Sequence, residues 1–316
     1  MLLAGLGGCQ GRQAVLNPMG EDAASLATLF WVMLAGAVVL WLLVTALFIY
    51  VTRIRPTAMS RGWAEALIIG GGVVFPTVVL GGLLSYSLPL MATQRGAGDG
   101  LVVHVTGEQW WWRVVYETPE GARVVSANEI RLPVGARTAF RLNANKVIHS
   151  FWIPALGGKT DMIPGRENMM SLEPTEAGIF RGQCTEFCGA SHALMAFEVE
   201  AMEADAFAAW LAREAEDAVP PASAAAERGA AIFEAEGCGA CHTVRGTEAI
   251  GRVGPDLTHV GSRHSIGAGI LSNDIEALAD WIERTGHLKP EVAMPQYDHL
   301  PRAALLDLGH YLKGLE

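Results

Sequence analysis

The sequence predicts a chain in three parts: a hairpin of two membrane helices, an all-β domain of sandwich or Greek-key type, and a small helical domain. Three observations predict it. Two long stretches near the N-terminus carry no charged side chain. From Leu101 the pattern turns to short alternating runs separated by Gly and Pro turns. After a Pro-containing linker, helical stretches surround a Cys-x2-Cys-His motif.

The whole-chain numbers agree. A length of 316 residues allows two or three domains. The mean hydropathy is positive, unusual for a fully soluble protein. The net charge of -10 is unevenly placed. Arg12, Arg53, Arg55, Arg61 and Arg95 stand against Glu21, Asp22 and Glu65 in the first 95 residues, and acids gather after residue 98. That balance argues against a nucleic-acid partner and for a membrane segment followed by an acidic outer domain. The cysteines are Cys9, Cys184, Cys188, Cys238 and Cys241. Each falls in a chemical motif, which leaves none for a structural disulfide.

Residues 1–22 read as a signal-like segment. Leu6-Gly7-Gly8-Cys9 looks like the end of a bacterial lipoprotein signal, which would make Cys9 the lipidated first residue. The basic start of such a signal is missing, and a short apolar tail is the other reading. Residues 23–95 form the membrane hairpin. Ala23 to Thr52 is uncharged, longer than the roughly 20 residues that cross a bilayer core. Ala66 to Gln94 is uncharged too, and membrane helices tolerate its Pro76 and glycines. The Arg53, Arg55, Arg61 turn faces the cytoplasm by the positive-inside rule, so both termini lie outside. Two buried soluble helices would not be expected to run so long without charge.

Residues 96–217 form the β-domain. Strands are expected near 101–105, 110–117, 123–130, 138–143, 168–172, 178–182 and 196–201, then a helix over 203–217. Trp110-Trp111-Trp112 cannot all face inward, because strand side chains alternate; Trp111 should oppose the other two. Cys184-x3-Cys188-x3-His192-x2-Met195 packs thiols, imidazole and thioether into one short segment, the ligand set that soft copper favours. Two cysteines at this spacing suggest a pair of coppers bridged by sulfur, and His149 is the upstream candidate for the further imidazole. A disulfide or a zinc site is the competing reading, though methionine is a poor zinc partner.

These residues resemble subunit II of the haem-copper cytochrome c oxidases, from about Asn17 to about Arg213. His149-Ser150-Phe151-Trp152-Ile153-Pro154 and Lys159-Thr160-Asp161-Met162-Ile163-Pro164-Gly165-Arg166 carry the resemblance with the cysteine segment. It implies a cupredoxin-like Greek-key β-barrel holding the dinuclear CuA centre. The implied copper ligands are His149, Cys184, Cys188, His192, Met195 and the backbone carbonyl of Glu186. The Glu186 side chain would help bind Mg²⁺ or Mn²⁺ at the contact with subunit I. Trp110 takes the place where electrons enter from cytochrome c; a core aromatic is its plainer reading. A glutamate near Glu65 marks a proton channel in the family. Here Pro76 lies eleven residues beyond it, and a solvated helix-end glutamate is the preferred reading.

Residues 218–223 are a linker, and 224–316 the last domain. Cys238-Gly239-Ala240-Cys241-His242 is the attachment signature of c-type haem: two thiols for the vinyl groups and a histidine for the iron. A thioredoxin-like pair would expect a βαβ context, and half a zinc site a second ligand pair. Met294 is the one methionine after His242. A Met/His pair suits electron transfer, while His259, His264, His287, His299 and His310 keep bis-histidine ligation open. The segment resembles class I cytochrome c domains. There Met-Pro supplies the distal ligand, and a loop like Gly254-Pro255-Asp256-Leu257 braces the proximal histidine. Helical stretches near 224–236, 274–285 and 301–313 fit that small all-α fold.

The resemblances imply a subunit of a respiratory terminal oxidase in the bacterial inner membrane. Electrons would come from a cytochrome c or a quinol-oxidising complex, pass one covalent haem c and two CuA coppers, and reach subunit I, where oxygen is reduced to water. Other oxidase subunits and the membrane are the remaining partners. Two further readings stand: the CuA-bearing subunit of a nitric oxide reductase, and a free-standing membrane-tethered electron carrier.

Overall fold

The computed structural model describes residues 10–54 and 59–316. Cys9, and with it the lipidation reading, lies outside the described residues, as does Arg55.

Two helical segments are long and apolar enough to cross a membrane, Glu21–Ile54 and Arg61–Thr93. The first is helix α1 (Glu21–Ile49) with a final π-helical turn. The second is α2 (Arg61–Ala66), a π-helical stretch over Leu67–Val74, and α3 (Phe75–Thr93). Pro76 falls at the junction where the π-helical stretch passes into α3. Glu65 is exposed and pairs with Arg61 one turn earlier, 2.7 Å away.

The β-domain is a sandwich of two five-stranded sheets. One runs β3 (Arg123–Ala127), β2 (Trp111–Glu117), β1 (Val102–Glu108), β5 (Thr138–Ala144), β8 (Asn168–Leu172). The other runs β4 (Glu129–Pro133), β10 (Ala196–Met202), β9 (Gly178–Cys184), β6 (His149–Trp152), β7 (Thr160–Met162). Most neighbours are antiparallel; β1 with β5 and β4 with β10 are parallel. β1 and β2 alternate between buried and half-buried residues, as strands with one covered face should. Between the sheets sit Trp112, Phe140, Phe151 and Phe197, with Phe151 and Phe197 stacked at 4.9 Å. Helix α4 (Ala204–Glu214) follows β10 and buries Phe207 and Trp210 beside Tyr116.

Three local expectations shift. The run 123–130 is two strands, because Asn128 adopts a left-handed φ of 60° and breaks it between the sheets. The helix over 203–217 stops at Glu214. Strands β6 and β7 were not expected; they are short and lack a long alternating run.

The C-terminal domain packs α5 (Ala224–Ala235), α6 (Ile275–Leu288) and α7 (Arg302–Lys313) around a core that includes Phe233, Leu278, Ile282, Leu305 and Leu308. Ser223 and Asp274 cap α5 and α6 by accepting from Ala226 N and Ala277 N. A short hairpin of β11 (Ser265–Ile266) and β12 (Leu271–Ser272) precedes α6.

Candidate metal centre and haem crevice

His149 opens β6, and Cys184 ends β9, its neighbour in the sheet. The chain then leaves the sheet, loops through Cys188 and returns as β10 just after Met195. Cys184 N donates to Met195 O at 2.9 Å, which closes the loop at its base. This puts every donor of the segment within reach of the others. Cys184 Sγ and Cys188 Sγ lie 3.9 Å apart. His149 Nδ1 is 3.7 Å from Cys184 Sγ, and His192 Nδ1 is 3.5 Å from Cys188 Sγ. Met195 Sδ is 3.9 Å from Cys188 Sγ, and the Glu186 carbonyl 3.3 Å from Cys184 Sγ.

The thiols are free, and 3.9 Å is far beyond the roughly 2.05 Å of a disulfide. A hydrogen bond from Cys188 holds the Cys184 thiol far below its ordinary value, at about 3, and the same contact pushes Cys188 up. His149 is wholly buried, and its Nε2 has no hydrogen-bond partner. Three soft sulfurs, two imidazoles turned toward them and one carbonyl fit copper better than a hard ion.

Close approach shapes the neighbourhood. A Cβ on Gly107 would lie 2.7 Å from the His149 ring. Gly189 has a φ of +119°, and a Cβ there would meet Trp110 at 2.8 Å. Sequence reasoning passed over both; a glycine inside a strand, at Gly107, was the available signal. Trp110 sits on the turn before β2 rather than on the strand. It is 4% exposed and donates from Nε1 to the Cys188 carbonyl at 3.0 Å. Trp112 is buried, and half-buried Trp111 lies under the Arg113 guanidinium.

Among the described residues, metal-binding groups converge at His149–Cys184–Cys188 and at Glu129–Glu200–His264. The Glu186 carboxylate belongs to neither and is half-buried. In the second cluster Arg131 lies 2.9 Å from Glu129 and 3.2 Å from Glu200, so a cation is already in place. His264 completes it with a backbone N–H to Glu129 at 2.7 Å and its ring 2.9 Å from Glu200. This knot ties the C-terminal domain to the sandwich.

A crevice of about 1280 Å³, counting its open mouth, lies between those domains. Cys238, Cys241, His242 and Met294 line it from one side, Trp110 and Trp111 from the other. His242 Nδ1 donates to the Pro255 carbonyl at 2.8 Å, which leaves Nε2 free for an iron. Burial pushes the imidazole's pKa down, toward the neutral form that ligates. The two thiols are free, and the walls are mostly apolar, as a covalently held haem requires. Of the five competing histidines, none lines the crevice, whereas Met294 does.

The family Cytochrome C oxidase subunit II, periplasmic domain, matches residues 121–202, and the family Cytochrome c matches residues 226–316. Cytochrome c oxidase subunit 2 of Alkalihalophilus pseudofirmus is 41% identical over 220 residues, 69% of this chain and 63% of that protein. The chain thus spans somewhat under two thirds of that relative. The Bacillus subtilis protein of the same name is 33% identical over 254 residues, 77% of this chain and 70% of that protein. Among solved structures, the periplasmic domain of subunit II of cytochrome oxidase of Bradyrhizobium japonicum is 32% identical, with a TM-score of 0.35, over 38% of this chain and 96% of that one. The chain belongs to the cytochrome c oxidase subunit II family, in a form that carries its own cytochrome c domain.

Proposed function

We infer that this chain is the subunit through which electrons enter a respiratory terminal oxidase of the bacterial inner membrane. A cytochrome c or a quinol-oxidising complex delivers them, and subunit I reduces oxygen to water. The observation that carries the reading is the joining of the two candidate sites by Trp110. It lines the crevice of the Cys-x2-Cys-His motif and hydrogen-bonds the carbonyl of Cys188. Trp110 is therefore the assigned place where electrons pass between domains.

His149, Cys184, Cys188, His192, Met195 and the Glu186 carbonyl would hold two coppers. Cys238 and Cys241 would hold the haem, with His242 and Met294 on its iron. Bound copper and haem supply reversible one-electron chemistry. The protein's own part is to fix the ligands before the metal arrives and keep water away. The sandwich core does this for copper, since four of the ligating side chains are almost wholly buried. The Glu186 side chain is assigned to Mg²⁺ or Mn²⁺ at the subunit I contact, where other ligands would come from the partner.

The two apolar segments support an anchor of two spans, with the Arg53–Arg61 turn in the cytoplasm. The start of α1 and the residues before it are tied to the sandwich: Met19 N donates to Ala155 O, and buried Asp22 pairs with Arg137 at 3.1 Å. That supports an N-terminus on the same outer side as the copper and haem domains. The test is the metal and haem content of the complex purified through this chain in mild detergent. Two coppers and one covalent haem per chain, with haem and copper in a co-purifying partner, are expected. A non-haem iron partner would instead indicate a nitric oxide reductase, and no partner a free carrier.

A further inference from the structure

Lys289 is a lysine without a surface. It is 1% exposed and ranks among the largest fully buried side chains. It ends α6, and its Nζ donates to the Gly267 carbonyl at 2.7 Å. An ammonium has three donors, and charged residues are rarely buried unless paired. Burial pushes its pKa down, to about 7. A buried cation without a carboxylate is costly, so an apolar residue here would serve packing better.

Its location gives the charge a use. Lys289 lines the same crevice as Cys238, His242 and Met294. The next carbonyl, that of Pro290, accepts from Ser191 Oγ at 2.6 Å. Ser191 is wholly buried and directly precedes His192. Val292 packs against the sandwich core. The segment that leads to Met294 is therefore seated on the copper loop, and it carries an amine that lines the crevice.

We propose that Lys289 is a positioning residue shared by both redox centres, whose ammonium favours the electron-rich state of each while Pro290 and Ser191 hold the Met294 segment on the copper loop. The proposal rests on the reading that both centres are present. A cation near a redox centre stabilises the state with one more electron, and a buried one is little screened by salt. Because one charge acts on both centres, both potentials rise together, and the driving force between them changes by less than the larger of the two shifts.

The test is a redox titration of the assembled oxidase, following haem and copper absorbance separately. Parent protein that lacks either signature would sink the reading of the site itself, whatever the variants do. Lys289→Gln keeps a donor for Gly267 and removes the charge; both midpoint potentials should fall, with spectra otherwise unchanged. Lys289→Arg keeps the charge and should return both toward the parent. If Lys289→Gln does not assemble, Lys289→Met gives the same reading. Unmoved potentials overturn the proposal. A shift at one centre alone makes Lys289 that centre's counter-ion and overturns the shared role. An Arg variant that behaves like Gln shows that shape, not charge, was at work, and overturns it too.

Discussion

In the copper loop the donor atoms meet inside a finished core. His149, Cys184, Cys188 and Met195 are each at most 2% exposed, and sheet hydrogen bonds hold the ends of the loop. In the crevice, Cys241 is exposed, while Cys238, His242 and Met294 are half-buried around a space. Cys238, Leu257, Trp281, Met294 and Tyr297 pack only partly against the helical core and also line that space. The sandwich core encloses the candidate copper ligands with its own side chains. The helical domain instead turns partly buried core residues toward the crevice, where a haem would pack on them.

The largest effects should separate the two. Cys188→Ser should abolish the electron-resonance signal of one electron shared over two coppers, with covalent haem content unchanged. Replacing Cys238 and Cys241 together by Ala should do the reverse and more. Haem attachment should vanish, and the C-terminal domain should become the first site of limited proteolysis, because the partly buried residues around the crevice would have no haem to pack on. The sandwich should stay protease-resistant and keep its copper signal. Equal loss of both domains in either variant would break the distinction.

A narrower test concerns Met294. Met294→Leu keeps similar volume and removes the sulfur, so haem should stay covalently bound through Cys238 and Cys241. The weak sulfur-to-iron absorption band of the oxidised protein should disappear, and the haem potential should fall, because thioether ligation favours reduced iron. Absence of that band in the parent protein would return the choice to His259, His264, His287, His299 and His310.

The same contrast explains what could be read from the chain. The candidate copper loop is local, with four of its proposed ligands inside a dozen residues, and its chemistry shows in the spacing alone. The role of His149 rested on family resemblance, since only the pairing of β6 with β9 brings it there. The haem motif is local as well, but its surroundings are not. Nothing short-range marks Ser191, Lys289, Glu129 or Arg131 as buried. Lys, Glu and Arg are usually exposed, and these are covered because one domain lies against another. Strands β6 and β7 escaped for a related reason: each is too short for alternation to register.

The smallest effects should come from the knot that ties the haem domain to the sandwich, and they should differ by burial. Glu129 and Arg131 are 6% and 9% exposed, and Glu129 also receives the His264 backbone N–H. Glu129→Gln leaves the Arg131 guanidinium buried with Glu200 as its remaining carboxylate. Removing one partner of a buried pair costs about 3–5 kcal/mol, and the retained contact to Glu200 places this case at the low end. His264→Ala removes only the ring's contact with Glu200, at a partly exposed position, and leaves the backbone donor in place. Such pairs contribute about 0.2–1 kcal/mol. Denaturant titrations that follow haem absorbance and sandwich tryptophan fluorescence separately should therefore show a clear midpoint loss for Glu129→Gln and a marginal one for His264→Ala. Salt should shrink the His264 effect and leave the Glu129 effect nearly intact, because buried pairs are weakly screened. Comparable losses, or a reversed order, would mean that the domains are held by apolar packing around Val292 rather than by this knot.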